Sequence, residues 1–523
     1  MSDRVLTVHP GDWGLFVWSF QWWPHAMAHG LDPLFTRVLW TPFGLNLAWA
    51  TVVPVPSFAL LPVTRFFGSV TAFNVVSLLA PATAAWTGYL LCSHLTRRAF
   101  APSLAGGFVF GFSPYLMSQF ITGHVNLSLV FMLPICTLLV VGLLEGWLKP
   151  RRFVVLMTVA LVIEFGISTE VFATMALFAG IGAGVGWFVA PPSWRRPILE
   201  GMGWLGLSYV LAAVVVSPYI LATVVFPGPF KPIFAHPVAP IQGGDLFRLF
   251  IPGRTELFGL NFGVARTPEW NYHLERYAWY LPFPLIAIAI HLWIKKRAIP
   301  AVKILLLLFV ITLVLSLGPA VVIAGHRIFL PWSIVQAFPL IKRAFPYRMT
   351  MFAFLALSVC VAYWLAAEPR SLKRWSVFAV AGVLLLPNVV TDVWTTNINE
   401  PAFFSSGMFR SYITPDESVW IVDADGGRSM LWQVTTGWYF RLAGGYTGVV
   451  PPDLKDPLTE WVLNTGVILP GQEETIREFV STHGVGAVVV GEEPDRVVQE
   501  IAGALGATPI EVGGVTFIDV PAT

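Results

Sequence analysis

Asp12 stands alone at the head of an aromatic, nearly uncharged stretch that runs from Gly11 to Trp49. A carboxylate beside so apolar a surface is costly unless it has a partner or a task. The task within its reach is to take a proton from an incoming hydroxyl. Arg348 and Arg343, in the segment LIKRAFPYRM, offer the complement. A guanidinium holds a phosphate in bidentate fashion and neutralises the charge that develops on it as a leaving group. Other polar residues fall in segments between apolar runs: Asp32, His124 in TGHVN, Glu170 in ISTE, Asp245 and Glu275. These are weaker candidates for a substrate pocket. For each alone, a solvated or snorkelling charge at a helix end is the plainer reading. Together they suit the attack of a hydroxyl on a phosphate-bearing donor.

Motifs for other chemistries are missing. The chain has no GxxxxGK[ST], HExxH, GxSxG or paired CxxC. His25 and His29 are spaced as metal ligands, but no third ligand is in view, so no metal site is assigned. No cofactor is expected, and a divalent ion stays open. Cys92, Cys136 and Cys360 lie in apolar segments, which argues against disulfides and structural zinc.

The elements that must position these residues are membrane helices. Of the 523 residues, 56% are hydrophobic and 12% charged, about half the charge of a soluble domain. The net charge of +2 gives no case for nucleic-acid binding. Ten apolar runs are long enough to span a bilayer: about 70–94, 102–120, 126–148, 152–168, 170–190, 201–226, 278–294, 301–324, 349–367 and 374–392. Pro114, Pro134 and Pro218 suggest kinks within them. Lys and Arg gather in alternate short loops, around Arg97, Arg151, Arg195, Lys296 and Arg374. By the positive-inside rule these loops face the cytoplasm. Residues 1–69, 227–277, 325–348 and the tail after about 393 then face outward, with every polar candidate on that side.

Within residues 1–69, Trp13, Phe16, Phe20 and Trp23 recur at helical spacing, as do Trp18 and Trp22. The pattern predicts an amphipathic helix lying on the membrane surface, its indoles at the headgroup level. The run Leu47–Phe67 is broken by Pro54, Pro56 and Pro62 and reads as a peripheral helix. In the tail, SVWIVD (418–423), GVGAVVV (484–490) and VTFIDV (515–520) read as strands, with helices at 473–483 and 496–505. The division is therefore 1–69, an outer loop with surface helices; 70–392, a membrane bundle; and 393–523, a soluble α/β domain.

This order of segments resembles the GT-C superfamily of integral-membrane glycosyltransferases. The matching features are Asp12 opening the first outer loop, His29-Gly30, Asp32-Pro33-Leu34, and the stretch PFGLNLAWATVVPVP (42–56). FGFSPY (110–115), GGDL (243–246), ERYAWYLPFPL (275–285), and MLWQ (430–433) with GGY (444–446) in the tail continue it. The resemblance implies a GT-C-like bundle of about ten or eleven spans with a C-terminal extracytoplasmic α/β domain. It implies a polyprenyl-phosphate sugar as donor and a cell-envelope glycan, lipid or protein as acceptor. It also implies residence among the lipids of a bacterial cytoplasmic membrane. By motif position Asp12 is the base; the family's phosphate-holding arginine has no fixed motif, and Arg348 in PYRM, then Arg343, is the candidate for it. One departure stands out: the family's first span is absent, so the expectation is either a gene product that begins one helix upstream of Val5 or a chain that lacks a helix framing the donor groove. The rival readings are a lipid or glycolipid transporter, which calls for mid-membrane charges such as Glu164, and a non-catalytic scaffold of the same fold.

Overall fold

The structure is a computed structural model and describes residues 3–8, 11–224, 233–234, 249–253, 255–259, 278–323, 326–337, 344–389 and 394–521. The chain packs as two units. One comprises Met1–Val75, Val216–Pro237 and Thr395–Thr523; the other comprises Val76–Val215 and Val238–Trp394. The first outer loop and the tail, apart in sequence, thus share a unit.

The second unit is a helical bundle. Its centre is the helix Thr350–Ala366, whose residues are nearly all buried. Helices Phe100–Gly111, Phe283–Lys296 and Pro300–Ser316 pack around it. Two small residues set the closest approach. A Cβ on Gly106 would lie 2.8 Å from the Ser358 carbonyl oxygen, and one on Gly107 would lie 2.5 Å from that of Ala85. Where lipid surrounds a bundle, such backbone proximity replaces the hydrophobic drive of water.

All ten expected apolar runs carry helix. Among the described residues, five helices are long and apolar enough to cross a membrane: Ser69–Leu95, Val125–Leu144, Thr169–Val189, Pro192–Val215 and Pro346–Ala366. The pair Phe100–Gly111 and Pro114–Ile121, bent by 41°, adds a sixth if it counts as one span. Others, such as Leu372–Leu384 with 13 residues, are shorter than the roughly 20 a straight crossing takes. The chain is a multi-pass membrane protein by these helices. Pro114 and Pro218 sit in the first turn of new helices, where the missing N–H costs nothing. Pro134 lies inside Met132–Leu144.

The first unit is built on a five-stranded sheet. Its order is Ile510–Val512, Val515–Asp519, Val485–Val490, Ser418–Val422, Arg441–Leu442. The last three strands run parallel, and Val515–Asp519 is antiparallel to Val485–Val490. Trp420, Val422, Val488, Val490 and Ile518 bury one face under the helices Glu473–Thr482 and Asp495–Leu505. The first loop extends the Arg441 edge: Leu442 N–H donates to Val38, and Thr41 N–H donates to the Leu442 carbonyl. Arg4–Val5 pairs with Thr396–Asn397.

The helix Asp12–Ala28 forms as its pattern foretells, but its aromatic stripe faces protein. Trp13, Trp18 and Trp22 are at most 2% exposed. The helix packs on Gly426–Thr435, the one that follows the Ser418–Val422 strand. Trp18 Nε1 donates to Gln433 Oε1 at 2.9 Å, and Trp22 Nε1 donates to the Pro33 carbonyl at 3.0 Å. Trp18 and Trp22 stack on each other, and Trp438 meets both edge-on. The expected headgroup-facing Trp belt is corrected accordingly: these indoles find dry surface and hydrogen-bond acceptors within the protein, Gln433 of the tail for Trp18 and Pro33 of the first loop for Trp22. The run Leu47–Phe67 is a 3-10 turn followed by two short helices, Pro54–Ala59 and Leu61–Phe67, with Phe66 and Phe67 exposed.

Candidate active site

Asp12 is the first residue of its helix and is half-buried. Its place in the first turn puts a carboxylate where unpaired backbone N–H groups favour an anion. The backbone around it is held by a residue more than 400 positions away. The Asp425 carboxylate, buried at 7% exposure, accepts Gly11 N–H at 2.8 Å and Trp13 Nε1–H at 3.0 Å. It also accepts Gly427 N–H at 3.0 Å and so caps its own helix. The two helix starts meet almost without side chains. A Cβ on Gly14 would lie 2.2 Å from the Gly427 carbonyl oxygen, and one on Gly427 would lie 2.7 Å from that of Gly11.

A polar chain continues to the carboxyl edge of the sheet. Asp425 N–H donates to Asp423 Oδ1 at 2.8 Å. Arg428 donates to Asp423 at 3.3 Å and to Glu492 at 2.8 Å. Burial pushes the Asp423 carboxyl up to about 6 against the opposing pull of Arg428. The Tyr446 ring lies against Gly11 and Gly426. Burial first, then the carboxylates of Asp12 and Asp425, push the Tyr446 phenol upward.

The motifs in the tail serve this clamp. Besides taking the Trp18 indole, Gln433 donates to the carbonyls of Val38 and Phe440. The Gly444 carbonyl accepts Trp40 N–H, and Gly445 N–H donates to Asn464 Oδ1. His483, fully buried, has Nε2 2.8 Å from Glu460 and Nδ1 2.5 Å from the Thr41 carbonyl.

In the bundle unit the structure brings together Glu170 and Arg348. Glu170 lies in the first turn of Thr169–Val189, and Arg348 in the turn Pro346–Met349; their side chains form an ion pair. The Arg348 guanidinium lies 4.8 Å from the Phe345 ring centre and 5.8 Å from that of Tyr347. His124 is 9% exposed, with Nδ1 2.9 Å from Gln119 Oε1 and 3.1 Å from Thr122 Oγ1. Asp32 has a structural part: exposed, it accepts Leu34 N–H at 2.8 Å and shapes the Asp-Pro-Leu turn. Arg343, Asp245 and Glu275 lie outside the described residues. Among the described residues, no cluster of three His, Cys, Asp or Glu could hold a metal ion.

Sequence reasoning gave Tyr446 no role beyond its place in GGY and missed Asp425 and Asp423 as site residues. The signal was present in Asp-Ala-Asp-Gly-Gly directly after the strand SVWIV, the sequence of a tight strand-to-helix turn.

No family profile matches the chain, and no curated protein matches it in sequence. Solved structures do. The arabinofuranosyltransferase AftD from Mycobacteria superposes on 100% of the chain with a TM-score of 0.57 at 14% identity. The oligosaccharyltransferase AglB from Archaeoglobus fulgidus, solved with an inhibitory peptide and a dolichol-phosphate, covers 99% with a TM-score of 0.51 at 10% identity. The chain has the GT-C fold. It spans 40% of the length of AftD and 71% of that of AglB. Within this GT-C fold, the aspartate that motif position singles out opens the first helix, and the tail domain holds it there.

Proposed function

We propose that this protein is a membrane glycosyltransferase that moves a sugar from a polyprenyl-phosphate donor to an acceptor hydroxyl outside the cytoplasm. The observation that carries the reading is the match of nearly the whole chain to an arabinofuranosyltransferase and to an oligosaccharyltransferase, the latter solved with a dolichol-phosphate. Their chemistry comes to this chain as proposal.

The residues supply the parts. Asp12 takes the proton of the acceptor hydroxyl as that oxygen attacks the anomeric carbon. The bond from this carbon to the phosphate oxygen breaks, and the polyprenyl phosphate leaves with the electron pair. Attack opposite the leaving group inverts the anomeric centre. Arg348 receives the phosphate, exchanging part of its pairing with Glu170 for the anion. Holding Arg348 against Glu170 and two aromatic rings keeps the guanidinium oriented before the donor arrives. The acceptor is a cell-envelope glycan, lipid or protein, and the protein resides in a bacterial cytoplasmic membrane with Asp12 and the tail outside.

The test is transfer by purified protein from radiolabelled polyprenyl-phosphate sugars to an envelope lipid and glycan extract, beside nucleotide sugars as donors. Label should pass to the acceptor from a polyprenyl-phosphate sugar only. Transfer from nucleotide sugars alone would contradict the donor assignment.

A further inference from the structure

The Asp425 carboxylate holds the residue before Asp12 by its backbone and the residue after it by its side chain. Gly11 N–H and Trp13 Nε1–H both donate to it, at 2.8 and 3.0 Å. Its own place is fixed twice over: its backbone N–H donates to Asp423, and its Oδ1 caps the Gly426–Thr435 helix. Asp423 is in turn held by Arg428 and by Glu492 N–H. A base gains its rate from being within a few tenths of an ångström of the proton it takes. We propose, resting on the reading of Asp12 as base, that Asp425 is its positioning residue. The carboxyl edge of the tail sheet thereby sets the register of Asp12, and the tail domain belongs to the catalytic apparatus through this carboxylate.

Geometry separates this role from simple stability. In Asp425→Asn the amide oxygen still accepts Gly11 and Gly427, but the NH2 group faces the Trp13 indole N–H, donor against donor. Trp13→Phe removes that conflict while keeping an aromatic ring in the site.

The experiment measures transfer by the full-length protein with a polyprenyl-phosphate sugar, for wild type, Asp12→Asn, Asp425→Asn, Trp13→Phe and the Asp425→Asn/Trp13→Phe double variant. Rates are expressed per folded molecule, counted from the monodisperse size-exclusion peak, so that an unfolded fraction does not enter kcat. Asp425→Asn should lower kcat about 10- to 100-fold, with donor and acceptor KM within about threefold of wild type. Trp13→Phe alone should lower kcat by about 3- to 10-fold, and the double variant should be no slower than Asp425→Asn and recover toward Trp13→Phe. Transfer that survives in Asp12→Asn sinks the base assignment, and this proposal with it. Loss of transfer in Asp12→Asn beside a wild-type kcat in Asp425→Asn overturns the positioning role alone. If Asp425→Asn yields no folded protein, Trp13→Phe decides: an unchanged kcat overturns the proposal, and a reduced one at constant KM supports it.

Discussion

Replacing Gly14 by alanine adds one methyl group at the tightest point between the two helix starts. On helix propensity alone the change should stabilise, by up to about 1 kcal/mol, because glycine is the poorer helix former. The structure reverses that sign. The new Cβ would stand 2.2 Å from the Gly427 carbonyl oxygen and 2.4 Å from its Cα, both well short of the 3.4 Å at which ordinary contact begins. Both neighbours are backbone, so no side chain can swing aside. The helices must part by about 1 Å, and overpacking of this kind costs about 1–3 kcal/mol. Separation also stretches the bonds from Asp425 to Gly11 and Trp13, now 2.8 and 3.0 Å. A displacement of about 1 Å at a reacting group costs roughly 100-fold in rate. Gly14→Ala should therefore melt several degrees below wild type in detergent and transfer sugar about two orders of magnitude more slowly. Gly182→Ala is the control: Gly182 sits inside the Thr169–Val189 helix with nothing within 4 Å of its Cβ position, so its melting point should hold or rise. Wild-type melting and transfer in Gly14→Ala would refute the packing argument and the coupling of this contact to Asp12.

His483→Ala leaves the Glu460 carboxylate and the Thr41 carbonyl without their buried partner and should cost about 2–4 kcal/mol, read as a lower midpoint in thermal denaturation; an unshifted midpoint would count against the clamp of the first loop. Burial, helped by Asp423 and opposed by Arg496, pushes Glu493 up to about 7 from 4.5. The folded state thus holds the proton more tightly than the unfolded chain, so this contribution is present below about pH 4.5 and lost as pH rises through about 7. Glu493→Gln should accordingly raise the melting point at pH 8 and leave it unchanged at pH 4, and the opposite pattern would be fatal to the assignment. Arg348→Ala should weaken binding of a polyprenyl phosphate at least tenfold, about 1.4 kcal/mol, in a filter-binding titration; unchanged affinity would remove Arg348 from the donor site.

Much of the architecture was legible because hydrophobic runs and strand patterns are local properties. Each of the ten apolar runs carries helix, although the run at 301–324 ends in the strand Ala320–Ile323 and the helix in 374–392 stops at Leu384, and the strands at 418–422, 485–490 and 515–519 stand where the β-branched runs placed them. What could not be read were contacts between distant positions. The Trp13–Trp22 stripe has the same spacing whether it faces lipid or a helix; the partner that settles it, Gly426–Thr435, lies about 400 residues on. The pairing of Glu170 with Arg348 spans 178 residues and leaves no local trace. Each was a candidate on its own merits, yet only the fold shows that the two charges neutralise each other. Asp12 was found from its isolation in an apolar stretch. Asp425, which orients it, sits in an ordinary strand-to-helix turn, where an aspartate needs no explanation beyond capping.

The central claim is that the aspartate at the head of the first helix takes the acceptor's proton. The most direct measurement is the single-turnover rate of sugar transfer from a radiolabelled polyprenyl-phosphate sugar, wild type beside Asp12→Asn, with donor binding measured on the same samples. Asparagine keeps the shape and removes the basic oxygen. The account predicts that Asp12→Asn binds donor as wild type does and transfers at least 100-fold more slowly, the scale of a lost general base. Transfer at the wild-type rate by a folded, donor-binding Asp12→Asn would contradict it.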